Sequence, residues 1–182
     1  MNLLLPLLQI YTPICVKKRA LKELFNFTAA AFGCQVPPIE GLSPDECLYQ
    51  YTMFTQGHVE AFIRDGHDLQ ALQERLYVNA YQLGQMHGQM LRVRTIEEVM
   101  AMGRILYRIL GIDFQGNAQG AVVISHCYFS RFYSGQVCRI MSAMDQGLFA
   151  GLSGGGQLVF TSRITEGQPC CRARFTLQEG AK

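Results

Sequence analysis

The stretch HCYFSRFYSGQVCRIMSAMDQGLFAGLSGGGQLVFTSRITEGQPCCRARFTL, His126 to Leu177, decides the fold. It parses as a strand end, a helix and a β-hairpin. Ser134 to about Leu152 reads as a helix whose stripe Val137, Met141, Met144 and Leu148 recurs near the helical period. The run Ser153-Gly154-Gly155-Gly156 precedes a strand and lacks the Lys-Ser/Thr of a nucleotide loop, so it reads as a connector. With a turn at Glu166-Gly167-Gln168-Pro169, Thr165 faces Cys170. Alternation then pairs Ile164 with Cys171, Ser162 with Ala173, Phe160 with Phe175 and Leu158 with Leu177. That face is apolar or small, with a notch at Ser162/Ala173. The other face carries Thr161, Arg163, Arg172, Arg174 and Thr176, and sets Arg163 against Arg172. Cys171 is expected to point inward and Cys170 outward.

Working outward, helix signals dominate the first two thirds. Ser43-Pro44-Asp45-Glu46 is a capping box with proline at the first helical position, starting a helix to about Arg64. Thr95-Ile96-Glu97-Glu98 opens another, stopped by Gly111, with Ile96, Val99, Met100, Gly103, Leu106 and Leu110 along one face. Asp68 caps a helix from Leu69 to about Met90. Residues 15–32 form an earlier helix ended by Gly33, and 33–44 is a proline- and glycine-rich loop. After Gly111 the period changes to two. Ile112 to Gln115 and Ala121 to Cys127 read as strands joined near Gly116-Asn117. In the second, Val122, Ile124 and His126 share one face and Val123, Ser125 and Cys127 the other. The expected class is α+β: N-terminal helices, then a ββ-α-ββ unit with an antiparallel sheet packed on helices. One domain over 1–182 is expected, divided into a helical arm and loop (1–42), a helical part (43–111) and sheet plus helix (112–178).

The bulk properties exclude several classes. A net charge of +2 and no basic cluster larger than Lys17-Lys18-Arg19 argue against nucleic acid as a partner. The opening MNLLLPLLQI has its positive charges after the apolar run, contrary to a signal peptide. No stretch approaches the roughly 20 apolar residues that span a bilayer. A cytoplasmic protein without a membrane partner is expected; the alternative is an interfacial helix over residues 3–25. Seven cysteines without repeating spacing argue against a disulfide framework and for free thiols. The leucine-rich opening, and helices apolar on more than one face, point to a homodimer.

The residues able to carry chemistry cluster late. Cys138, Ser142 and Asp145 recur at i, i+4 and i+7 beside the core stripe. Asp145 is either solvated or paired with an arginine, or it is a carboxylate that holds an amino group or acts as a base. Cys127 ends a strand, where a following helix N-terminus would favour its thiolate; it is a nucleophile or an inert buried thiol. His126, Cys138, Cys171 and Ser142 are candidate ligand contacts. Tyr77, Tyr81, His87 and Tyr107 read as packing residues. The cysteine spacing matches no zinc knuckle, so neither a metal nor a cofactor is expected.

RLYVNAYQLG (Arg75–Gly84), the helix TIEEVMAMGRILYRILGI, the Cys127 segment, Cys138, Asp145 and the RITEG…CRARF hairpin resemble the L-2-amino-thiazoline-4-carboxylic acid hydrolase family over residues 70 to 177. The hairpin is also similar to 4-vinyl reductase domains, ligand-binding modules related in fold to trafficking-complex (TRAPP) subunits. Of their terminal metal site only Gly167 and Cys171 map here. The resemblance implies a hydrolase opening a small cyclic amidine or thiazoline ring. Water or Cys127 would attack, Asp145 would orient the amine or take the proton, and Cys138 and Cys171 would line the pocket. The alternative is a non-catalytic module that binds a small molecule as sensor or carrier.

Overall fold

Four of the five long helices begin where a side chain satisfies orphan backbone donors; the exception is the helix that follows Pro13, which starts without a side-chain cap. In the computed structural model, which describes residues 4–177, the first helix is α1 (Leu4–Ile10) and the second is α2 (Ile14–Phe32), closed by Gly33 at φ 72°. Ser43 and Glu46 form the reciprocal box that opens α3 (Pro44–Arg64). The Asp68 carboxylate accepts from the amides of Gln70 and Ala71 at the head of α4 (Leu69–Met90). Thr95 and Glu98 do the same for α5 (Ile96–Ile109). Residues 1–3, within the leucine-rich opening, and 178–182 lie outside the described residues.

Strands β1 (Ile112–Gly116) and β2 (Ala121–Cys127) form one hairpin. The Asn117 side chain in their connection accepts from the amides of Gln119 and Ala121. A 3-10 turn at Tyr128–Arg131 then leads to α6 (Gly135–Ser153), capped by Ser134. Strands β3 (Gln157–Ser162) and β4 (Cys171–Thr176) complete an antiparallel sheet of order β1-β2-β4-β3. The class is therefore α+β, with helices packed on a four-stranded antiparallel sheet.

The last hairpin pairs two residues away from expectation. Leu158 faces Phe175 and Phe160 faces Ala173, and a bulge then brings Ser162 opposite Arg172. The cause is the connection: Ile164–Glu166 coils into a 3-10 turn closed by Gly167 at φ 81°, so the chain needs a longer loop than four residues. A shift of two preserves the faces. Cys171, Ala173 and Phe175 still point inward, while Arg172 and Arg174 are exposed. The notch expected at Ser162/Ala173 does not form, and Arg163 does not oppose Arg172.

Under the sheet, Phe149 is fully buried against Phe114, Tyr107 and Phe175. Its removal would cost about 3–5 kcal/mol. Between the helices, glycine sets the spacing. A Cβ on Gly147 would lie 2.2 Å from the Tyr77 carbonyl oxygen, and one on Gly151 would lie 2.1 Å from that of Tyr81. From the other side, Gly84 and Gly88 meet the backbone of Leu148 and Leu152. Two small-xxx-small stripes thus let α4 and α6 run parallel in backbone contact, which fixes where α6 presents its sheet-facing side chains.

Candidate functional site

A β-bulge determines which end-of-strand residue enters the interior. Phe114 pairs with Ile124 but Asp113 pairs with His126, so Ser125 is an extra residue on β2. The alternation inverts there. Val122 and Ile124 are buried, Ser125 and His126 both face outward, and Cys127 turns back inward with Ile124. The sequence placed His126 with Val122 and Ile124, and Cys127 on the far side; the bulge reverses both. Ser125 donates to the Asp113 carboxylate, and His126, exposed, sits with Nδ1 3.1 Å from the Gly111 carbonyl oxygen. His126 is therefore not a contact of the interior site.

One face of α6 supplies the floor. Cys138, Ser142 and Asp145, one and two turns apart, border a cavity of about 100 Å³ that Cys127 and Cys171 also line. His126 is the one candidate that does not reach it. The Tyr107 hydroxyl donates to Asp145 Oδ1 at 2.5 Å. Ser142 Oγ donates to the Cys138 carbonyl at 2.8 Å and accepts from Arg163 Nε at 3.4 Å. The bulge after Phe160 and the 3-10 turn carry Arg163 off the outer face. Its guanidinium lies over the Phe160 ring, 5.1 Å from the centroid, with Nη1 3.9 Å from Glu166 Oε1. Glu166 is held in turn by Arg139 at 2.8 Å. The other walls are apolar, chiefly Leu83, Phe129, Met141, Met144 and Leu148. Tyr51 and Tyr133 also line the space, with their hydroxyls paired to Thr28 and Thr55.

The electrostatics sort these groups into one acid and several neutral donors. Burial pushes the Asp145 carboxyl up to about 6, against the opposing pull of the Tyr107 hydrogen bond and the more distant Arg163. Asp145 keeps some accessible surface because it borders the cavity, while the surrounding side chains desolvate its carboxyl. Tyr107 is held well above the usual phenol range by burial and by the neighbouring carboxylate, so it remains a donor. Burial pushes Cys127 to about 12, although the amides of Phe129 and Ser130 pull the other way. The segment after Cys127 is a four-residue 3-10 turn, and desolvation outweighs its donors. Cys138 and Cys171 are also raised, chiefly by burial. All three cavity thiols are protonated near neutrality.

Two participants, Tyr107 and Arg163, were not among the candidate site residues: the sequence reads Tyr107 as packing and places Arg163 on the outer face of the hairpin. Tyr107 was recoverable in part, since a hydroxyl on the buried stripe of α5 needs a partner and an acid on the stripe of α6 needs a donor. Arg163 had no such signal, because its placement depends on the bulge and turn. Among the described residues no group of three His, Cys, Asp or Glu side chains is arranged to hold a metal. Compared with known proteins, the chain matches no family model, and no curated protein or solved structure matches it at a significant level.

Proposed function

We propose that the cavity binds a compact, largely apolar molecule bearing one basic nitrogen group, an amine or amidine, seated against Asp145. The observation that carries this is the carboxylate itself. Asp145 is half-buried at the wall of a mostly apolar cavity, takes its one protein hydrogen bond from Tyr107, and has Oδ2 without a protein partner among the described residues. A half-buried carboxylate with one oxygen facing a largely apolar cavity offers a basic ligand group a charge-assisted hydrogen bond that the protein leaves unmade. Arg163, which donates to Ser142 in the same lining, suits a ligand that also carries an acidic group. Thermal-shift titration with L-2-amino-thiazoline-4-carboxylate and with small cyclic amidines tests this. Asp145→Asn should weaken the stabilising ligand about 10- to 100-fold. Undiminished binding by that variant would refute the assignment.

A second reading, hydrolysis of a cyclic amidine or thiazoline ring as the family resemblance implies, is favoured by the position of the Asp145 carboxyl at about 6, close to where a general base works best. The attacking group in this reading is water, which adds to the ring carbon as Asp145 takes its proton; the ring C–N or C–S bond then breaks and the departing ring atom receives that proton from Asp145, while Cys127, a neutral thiol, lines the pocket. Turnover of L-2-amino-thiazoline-4-carboxylate should vanish in Asp145→Asn and survive in Cys127→Ala. No turnover by the wild type leaves the binding reading.

Seven free thiols suit a reducing compartment, and we assign the chain to the cytoplasm. No helix among the described residues is long and apolar enough to cross a membrane. A homodimer through the outer face of α4, where Val78 and Met90 are more than half exposed, is part of the same proposal.

A further inference from the structure

Among the described residues the most exposed large apolar side chains are clustered in sequence. Ile10 is 82% exposed, Tyr11 66% and Ile14 61%, all at the elbow between α1 and α2. Such an elbow would ordinarily fray, but this one is clamped. The Arg108 guanidinium, projecting from α5, donates to the carbonyls of Leu8 and Gln9 at the end of α1 and to Thr12 Oγ1 at 2.8 Å. The buried Thr12 hydroxyl donates to the Leu8 carbonyl. The guanidinium thus caps the last turn of α1, where orphan carbonyls carry negative charge. The apolar tips are held outward on a fixed backbone.

The charge around the elbow is predominantly positive. No Asp or Glu occurs before Glu23, whereas Lys17, Lys18, Arg19 and Lys22 lie on the first turns of α2. Ile14, Lys18 and Lys22 follow at four-residue spacing along one side of that helix. Arg19 is occupied by Glu23, and Glu46 is close enough to Lys18 to sense its charge. Among the described residues none of the three lysines forms an ion pair. The adjoining recess, lined in part by Gln9, Arg104, Arg108 and His126, extends the basic character, with Asp113 the one acid in its lining.

We infer that this elbow docks the protein on an anionic lipid bilayer. Ile10, Tyr11 and Ile14 enter the headgroup–acyl boundary, and the lysines meet lipid phosphates and carboxylates. Three preset apolar side chains beside a row of lysines on α2 match the chemistry of that boundary, where apolar contact and electrostatic attraction add. A neutral apolar protein surface would gain nothing from the lysines, which favours lipid over a second copy. With no membrane-crossing helix among the described residues, attachment is peripheral.

Co-sedimentation of the full chain with vesicles tests it, using phosphatidylcholine alone or mixed with phosphatidylserine. The wild type should pellet with the mixed vesicles and stay in the supernatant with the neutral ones. Ile10→Ser/Tyr11→Ser/Ile14→Ser should lower partitioning at least about tenfold. Lys17→Gln/Lys18→Gln/Lys22→Gln should lower it about a hundredfold, at roughly fivefold per charge. All six residues lie at the surface or half-buried at its edge, so the far-ultraviolet circular dichroism of both variants should match the wild type. Absence of pelleting with the mixed vesicles, equal pelleting with both kinds, or a serine variant whose one effect is to convert a solution dimer to monomer would each overturn the inference.

Discussion

Replacing Asp145 by asparagine should stabilise the protein, and only above a defined pH. The folded carboxyl is raised from 3.8 to about 6, so the native state holds its proton more tightly than the unfolded chain. Below about pH 4 both states are protonated and the side chain costs nothing on this account. As pH rises from about 4 to 6 the unfolded chain ionises first, and a penalty grows that is complete above about 6. Roughly two units at 1.36 kcal/mol each is about 3 kcal/mol. Asparagine removes that penalty and still accepts the Tyr107 hydroxyl, but through a neutral bond about 1 kcal/mol weaker than one to a carboxylate. The net gain at about pH 8 is therefore about 1–2 kcal/mol, or about 2–8 °C in Tm for a chain of this length. Thermal melts of both proteins across the range from about pH 4 to 8 provide the assay. The curves should converge at the acidic end and separate through the window. Parallel curves, or a variant less stable than the wild type at the alkaline end, would refute an unsatisfied carboxylate in the cavity wall.

Other outcomes follow from the same geometry. Tyr107→Phe removes the one hydrogen bond to Asp145 and should cost about 1–3 kcal/mol above the carboxyl's titration, with that titration moving further up in a carbon-detected NMR experiment. With its thiol at about 12, Cys127 is about one part in ten thousand thiolate at about pH 8; exposed Cys15 should be alkylated first and Cys127 orders of magnitude more slowly, as mass spectrometry would show. Gly151→Ala places a methyl against the Tyr81 backbone and should cost about 3 kcal/mol in chemical denaturation, since two helices must separate to admit it. His126→Ala should leave ligand-induced thermal shifts unchanged, its side chain lying on the outer side of the sheet.

Several of these expectations rest on features the sequence displayed without revealing their use. Gly84-x-x-x-Gly88 and Gly147-x-x-x-Gly151 are visible as spacing, but each becomes a packing device only once the other helix is known to cross there. Cys138, Ser142 and Asp145 were legible as one helical face because helical phase is set by local geometry, and that face does border the cavity. Cys127 and His126 were assigned to the wrong sides because a perfect alternation was extended through a bulge. The bulge arises from pairing with β1, and nothing within Ile124 to Cys127 announces it.

The sequence alone determined what is decided within a few residues of itself. The capping boxes at Ser43 and Thr95, the Asp68 cap, the Gly33 stop and the change of period after Gly111 each arise from hydrogen bonds or sterics inside one turn, and the elements begin and end there. The tertiary structure decided register and orientation: the slip of the last hairpin, the extra residue at Ser125, the inward swing of Arg163, and the meeting of Tyr107 with Asp145. Those depend on how one element meets another, which follows from closing a shared core and satisfying buried polar groups, and no local pattern encodes that choice.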